Sequence, residues 1–233
     1  MTYLLVAANV LVFLLTPMAQ FATWYGENDV RKCKVTQFSM EYGAVPKELT
    51  TGEQQPLPAE VAHECGQATF TKTPWTSAFT SMFLHSNWVH LLGNLVVLFV
   101  VGMGVEDRLG RLRYLLAYLL FGLVAVCGFA YTTPDSGIPL IGASGAIAGV
   151  LGAYLVLNPR GRIISYVAPV FVARLPVWVV LGSWFVIQWL SLGDTSSNVA
   201  YVAHIYGFAS GMLFAFLARR AGPARGIAAL SRG

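Results

Sequence analysis

Charged side chains are spaced unevenly along this chain, and the gaps between them outline its elements. Residues 1–26, 73–105, 114–134, 136–159, 175–193 and 195–218 contain no Asp, Glu, Lys or Arg, and each gap is at least 19 residues long. A helix needs about 20 apolar residues, at about 1.5 Å rise each, to cross a hydrocarbon layer of about 30 Å. Unpaired backbone amides are costly in lipid, so the pattern predicts helices rather than strands. They are expected near Tyr3–Ala22, Met82–Val105, Tyr114–Tyr131, Ile141–Val156, Pro176–Leu192 and Val199–Ala218. A seventh gap, 163–173, is too short to span. The expected fold is an all-α polytopic membrane protein with six transmembrane helices.

Composition excludes the alternative of a water-soluble fold. The chain is 56% hydrophobic and 11% charged, where a soluble domain carries about a quarter charged residues. The basic residues then set orientation. Arg108, Arg111 and Arg113 follow the second stretch, Arg160, Arg162 and Arg174 follow the fourth, and Arg219, Arg220, Arg225 and Arg232 follow the sixth. Arginines in short loops face the cytoplasm, which puts both termini inside and the loop at about 23–80 outside. Residues 1–218 form the expected membrane domain, and 219–233 a basic cytoplasmic tail. An anionic inner leaflet is the only polyanion this bias needs, so the lipid bilayer is an expected partner and nucleic acid is not. The first stretch lacks a basic segment before Leu4 and exceeds a signal sequence's apolar run, so a retained helix is expected.

The outer loop holds turn formers at Gly43, Pro46, Gly52, Pro56 and Pro58, and is expected to form an ordered or semi-ordered flap. It also holds Cys33 and Cys65, for which a disulfide and two free thiols are both open readings. No recognised ligand spacing joins them to His63, so no metal site is expected. Cys127 falls in the third stretch, where a small buried hydrophobe is the default.

Chemistry is expected where polar residues enter apolar stretches. His90 and Asn94 form an i, i+4 pair on one face of the second. Ser144 lies near the start of the fourth, in Gly142-Ala143-Ser144-Gly145, and His204 about one turn into the sixth. All three stretches run inward from the same side, so these side chains share one depth, on the order of 5 to 10 Å below the outer surface. Gly145 and Gly149 line one face, and Ala203, Gly207 and Gly211 another; small-xxx-small faces let helix backbones approach closely in lipid. Taken singly, each polar residue has a bland reading: Ser144 bonding back to a carbonyl, His90 and Asn94 as interhelical glue, His204 as an interfacial histidine. Together they are the parts of an acyl-transfer site. His85, five residues before His90, falls on another face near the boundary.

These residues resemble the rhomboid family of intramembrane serine proteases, in its six-helix bacterial form. The matching segments are FLHSNWVHLLGN with His85, His90 and Asn94, VGMGVEDRLG with Glu106, IGASGAIAG with Gly142, Ser144 and Gly145, and AHIYGFASG with Ala203, His204, Gly207 and Gly211. The resemblance implies a rhomboid-like bundle in a bacterial inner membrane, with its active site opening to the extracytoplasmic side. It implies a catalytic dyad of Ser144 and His204, an oxyanion site of His90, Asn94 and the Ser144 amide, and transmembrane proteins as substrates, without cofactor or metal. Many members place Tyr or Phe against the catalytic histidine four residues after the serine; here Ala148 leaves open what orients His204. A proteolytically inactive relative that binds membrane clients and a small transporter are the rival classes. Intact Ser144 and His204 weigh against the first; no internal repeat and no acid within the apolar stretches weigh against the second. The oligomeric state is not legible in the sequence.

Overall fold

The computed structural model describes residues 1–19, 21–67, 70–168, 171–194 and 199–220; Arg225, Arg232 and the rest of the tail beyond 220 lie outside them. Three helices are long and apolar enough to cross a membrane: α6 (Trp88–Leu109), α7 (Arg111–Thr132) and α10 (Tyr201–Arg220). Three more are apolar but shorter: α1 (Thr2–Leu14), α8 (Ser144–Leu157) and α9 (Val177–Leu190). The charge-free stretches therefore contain these helices without being coextensive with them. Thr16-Pro17 stops α1 well short of Ala22, because the residue before proline is pushed out of helical geometry. The second helix begins at Trp88 rather than Met82, where Asn87 Oδ1 accepts from His90 N at 2.9 Å and caps it.

The described residues are mostly helical, and they correct the all-α expectation. Strands β1 (Arg162–Ala168) and β2 (Phe171–Pro176) pair antiparallel, Arg162 opposite Pro176, in the segment that the charge pattern left unassigned. A second correction concerns Cys127, which is exposed on α7 rather than buried.

The described residues of 23–80 include four α-helices, α2 (Asn28–Tyr42), α3 (Pro46–Thr51), α4 (Ala59–Cys65) and α5 (Pro74–Thr80). A Cys33–Cys65 disulfide joins α2 to α4. Lys72 and Glu48 form an ion pair whose side chains are 4% and 1% exposed, over a small core of Met40, Val45 and Leu57. The flap is hydrogen-bonded to the loop that leads to Ser144: Ala44 N donates to Leu140 O (3.0 Å), Leu140 N to Ala44 O (2.8 Å) and Lys47 N to Ser136 O (3.1 Å).

Helix α8 sits at the centre, buried continuously from Gly145 to Ala153, as a sequence apolar on all sides requires. Its most extensive contact is with α10, and α6, α7 and α9 pack around it. The α8–α10 contact is backbone on backbone. A Cβ on Gly207 would stand 2.1 Å from Gly145 O, one on Gly211 1.8 Å from Gly149 O, and one on Gly152 2.1 Å from Phe208 O. At the end remote from the flap, Thr2 N and Oγ1 donate to Glu106 (2.7 and 2.8 Å), and Arg108 reaches Asn158 Oδ1 at 3.2 Å.

No side chain fits at Gly152, Gly207 or Gly211 unless the helices separate. Gly211→Val is expected to cost at least about 1 to 3 kcal/mol, the range for overpacking a filled interface. The measurement is the thermal unfolding midpoint in detergent, with Gly182→Ala, which meets nothing within 4 Å, expected to leave that midpoint unlowered.

Candidate active site

Ser144 is the first residue of α8, and the turn before it is built for glycine. Gly142 has φ +136°, a backbone conformation that L side chains rarely adopt, and its N–H donates to Ser81 O at 2.9 Å. A Cβ there would stand 2.9 Å from His90 Nε2 and 3.5 Å from Ser144 Oγ. Glycine therefore keeps open the space between the His90 ring and the serine hydroxyl. Gly142 belongs to this turn and not to the packed face of α8, because the helix starts only at Ser144. The opening N–H groups of a helix have no intrahelical acceptor and stand at the positive end of its dipole, so the Ser144 amide is a donor at the place where negative charge is best received.

His204, one turn into α10, brings its Nε2 to 2.9 Å from Ser144 Oγ. That distance follows from the glycine contacts, since Gly207 lies against Gly145, next to Ser144, one turn further into the membrane. On the other side of the imidazole, Nδ1 is 2.8 Å from Gln188 Oε1 of α9, and the Trp184 ring lies 5.8 Å away, tilted by 34°. Neither Gln188 nor Trp184 emerged as a site residue from the sequence. The sequence signal for Gln188 is that an amide in a hydrophobic run must find a partner.

His90 lies in the first turn of α6, with Nδ1 3.2 Å from Ser86 Oγ. Ser86 Oγ accepts in turn from Asn87 Nδ2 at 3.2 Å, so the serine proton is free to point at the ring and leave Nε2 as the protonated nitrogen facing Gly142. Asn94 is one turn further along the same face; its Nδ2 is buried and has no hydrogen-bond partner among the described residues. His85 is 1% exposed, its ring edge-on to His90 at 5.1 Å. The structure thus gathers Ser144, His204, His90 and Gly142 at the flap end of the bundle, with Gly145, Gly149, Ala203, Gly207 and Gly211 in the helix contact below. Among the described residues, no three His, Cys, Asp or Glu side chains form a group that could hold a metal ion.

Comparison with known proteins places this arrangement in context. Residues 72–221 match the model of the Rhomboid domain. The chain is 31% identical over 144 residues to the putative rhomboid protease YdcA of Bacillus subtilis, a match covering 61% of this chain and 67% of that protein. It is 32% identical over 144 residues to rhomboid protease GluP of the same organism, covering 60% of this chain and 25% of the relative. Rhomboid protease AarA of Providencia stuartii is 35% identical over 95 residues, covering 35% and 34%. The matched part thus spans from a quarter to two thirds of these relatives.

The turn geometry makes a prediction of its own. Gly142→Ala is expected to lower stability by about 1 to 3 kcal/mol, the cost of one residue held in a sparsely populated conformation. Thermal unfolding measures it, and Gly137→Ala, which meets no atom within 4 Å, is expected to unfold like the unaltered protein.

Proposed function

The chain belongs to the rhomboid family of multi-pass membrane proteins, and on that premise we propose that it is an intramembrane serine endopeptidase acting through a Ser144–His204 dyad. One observation carries the reading: a 2.9 Å Ser144 Oγ–His204 Nε2 hydrogen bond at the mouth of two glycine-locked helices.

In this reading His204 Nε2 takes the Ser144 proton as Oγ attacks a substrate carbonyl, and returns it to the leaving amine. The acyl-enzyme is then hydrolysed by water, with His204 again the base. His90 Nε2–H, Asn94 Nδ2 and the Ser144 amide receive the negative charge on the carbonyl oxygen. Such donors are typically worth about 3 to 4 kcal/mol each in the transition state, which makes them determinants of rate more than of stability. The division of labour follows Ser-His logic on an unrelated fold, without a carboxylate, metal or cofactor.

Topology follows from charge. Arg108, Arg111, Arg160 and Arg219 fall at the end of the bundle remote from the flap, which supports six spans, cytoplasmic termini and a site opening to the extracytoplasmic side of a bacterial inner membrane. Residues 1–218 act as one membrane domain and 219–233 as a basic cytoplasmic tail. An intact helix hides its carbonyls in its own hydrogen bonds, so the substrates are transmembrane proteins whose spans unwind near the outer boundary, at Gly, Pro or other small residues.

Reaction with a fluorophosphonate tests this reading. The folded protein is expected to take up the probe, and both Ser144→Ala and His204→Ala to lose it while keeping the same unfolding midpoint. A folded protein that takes up none, or undiminished uptake by Ser144→Ala, contradicts the activity and favours a client-binding or transport role.

A further inference from the structure

Helix α9 turns most of its surface outward. Trp178, Val186, Ile187, Trp189 and Leu190 are all more than half exposed, and only Val177, Leu181 and Gln188 are buried. Two of those three are ordinary apolar contacts. Gln188 is 5% exposed, and a buried primary amide in an apolar helix costs free energy unless its groups are paired. Both groups are paired. Gln188 Nε2 donates to Trp184 O at 3.3 Å, one turn back on α9, and this fixes which end of the amide faces α10. The end that faces it is the oxygen, 2.8 Å from His204 Nδ1.

An amide oxygen can only accept, so His204 Nδ1 must carry the hydrogen. A neutral imidazole has one N–H, and with it on Nδ1 the lone pair lies on Nε2, the nitrogen 2.9 Å from Ser144 Oγ. At His90 the neighbour of Nδ1 is a hydroxyl, Ser86 Oγ at 3.2 Å, which can donate to that nitrogen and leave Nε2 protonated. We infer that Gln188 is the positioning residue for His204: it locks the tautomer in which Nε2 is a proton acceptor, and with Trp184, one turn back on α9, it holds the ring toward Ser144. Its function rests on the proposed dyad, but its effect on the tautomer exists whether or not the protein cleaves anything. A neutral amide orients the base without a counter-charge in the low-dielectric interior, which a carboxylate would introduce. It answers what takes over the orienting task where Ala148 offers no side chain for it.

Two measurements test this. Nitrogen-15 NMR of histidine-labelled protein, with the His204 signals identified by their loss in His204→Ala, is expected to show a protonated Nδ1 and a bare Nε2. In Gln188→Met, which keeps the side chain's length but has no strong acceptor, the proton is expected to redistribute toward Nε2. The rate of fluorophosphonate reaction at Ser144 is expected to fall at least about 10-fold in Gln188→Met, within the roughly 10²- to 10⁴-fold that a positioned base contributes. Gln188→Glu restores an acceptor and adds charge. It is expected to recover the rate at high pH while moving the acid limb of the pH–rate profile up by about one unit, since an adjacent carboxylate favours the protonated ring. A role confined to packing would move neither the tautomer nor that limb. A wild-type His204 protonated on Nε2, or a Gln188→Met protein with an unchanged tautomer and rate, overturns the inference. If Gln188→Met does not fold, an unmoved acid limb in Gln188→Glu does the same. Failure of the wild-type protein to react at all bears on the proposed activity and leaves the NMR result to decide this one.

Discussion

Everything at the flap end of this protein depends on two helices touching through their backbones. Gly207 and Gly211 of α10 lie against the carbonyl oxygens of Gly145 and Gly149 of α8, so closely that a single methyl group has no room. In lipid no hydrophobic effect drives helices together, and van der Waals contact between small-residue faces does that work instead. The chemical consequence appears one turn above: Ser144 and His204 are carried to 2.9 Å because glycine lets the helices bearing them stand this close. The packing of the bundle and the Ser144–His204 distance therefore depend on the same contact.

Around that contact the structure assigns each task to a different element. The Gly142 turn clears the space beside Ser144 and presents the His90 ring across it. The cap at Asn87 starts α6 late enough that His90 falls in its first turn, with Asn94 one turn beyond. The flap, held by the Cys33–Cys65 bond and the Glu48–Lys72 pair, grips the segment leading to Ser144 through the Ala44–Leu140 bridge. Helix α9 buries three residues, and one of them faces His204 Nδ1. His204 Nδ1 thus faces an obligate acceptor, whereas His90 Nδ1 faces a hydroxyl that can donate to it.

Much of this was legible from residue types alone. The charge-free stretches located the apolar helices, and shared depth with small-residue spacing pointed to Ser144, His204, His90 and the α8–α10 contact. Those signals are local and periodic, and periodicity survives in a bare sequence. Helix limits were less legible, because they were set by single residues that the charge pattern ignores: Pro17 ended α1, Asn87 delayed α6, and Gly142 with its left-handed φ held α8 back to Ser144. The β1–β2 hairpin was missed because its strands fall in a segment judged only for its inability to span. Gln188 was missed for a deeper reason: its partner is on another helix, and no spacing rule links residues 188 and 204. Cys127 read as buried because apolar stretches were treated as uniformly interior, whereas a membrane bundle turns much of its apolar surface outward.

The central claim is that Ser144 is a nucleophile facing a preformed donor set. The most direct test is a crystal structure of the protein after reaction with a fluorophosphonate. Phosphorus is expected to be bonded to Ser144 Oγ, with the phosphonyl oxygen within hydrogen-bonding distance of His90 Nε2, Asn94 Nδ2 and the Ser144 amide. Phosphorus on another residue, or a phosphonyl oxygen turned away from all three donors, would contradict it.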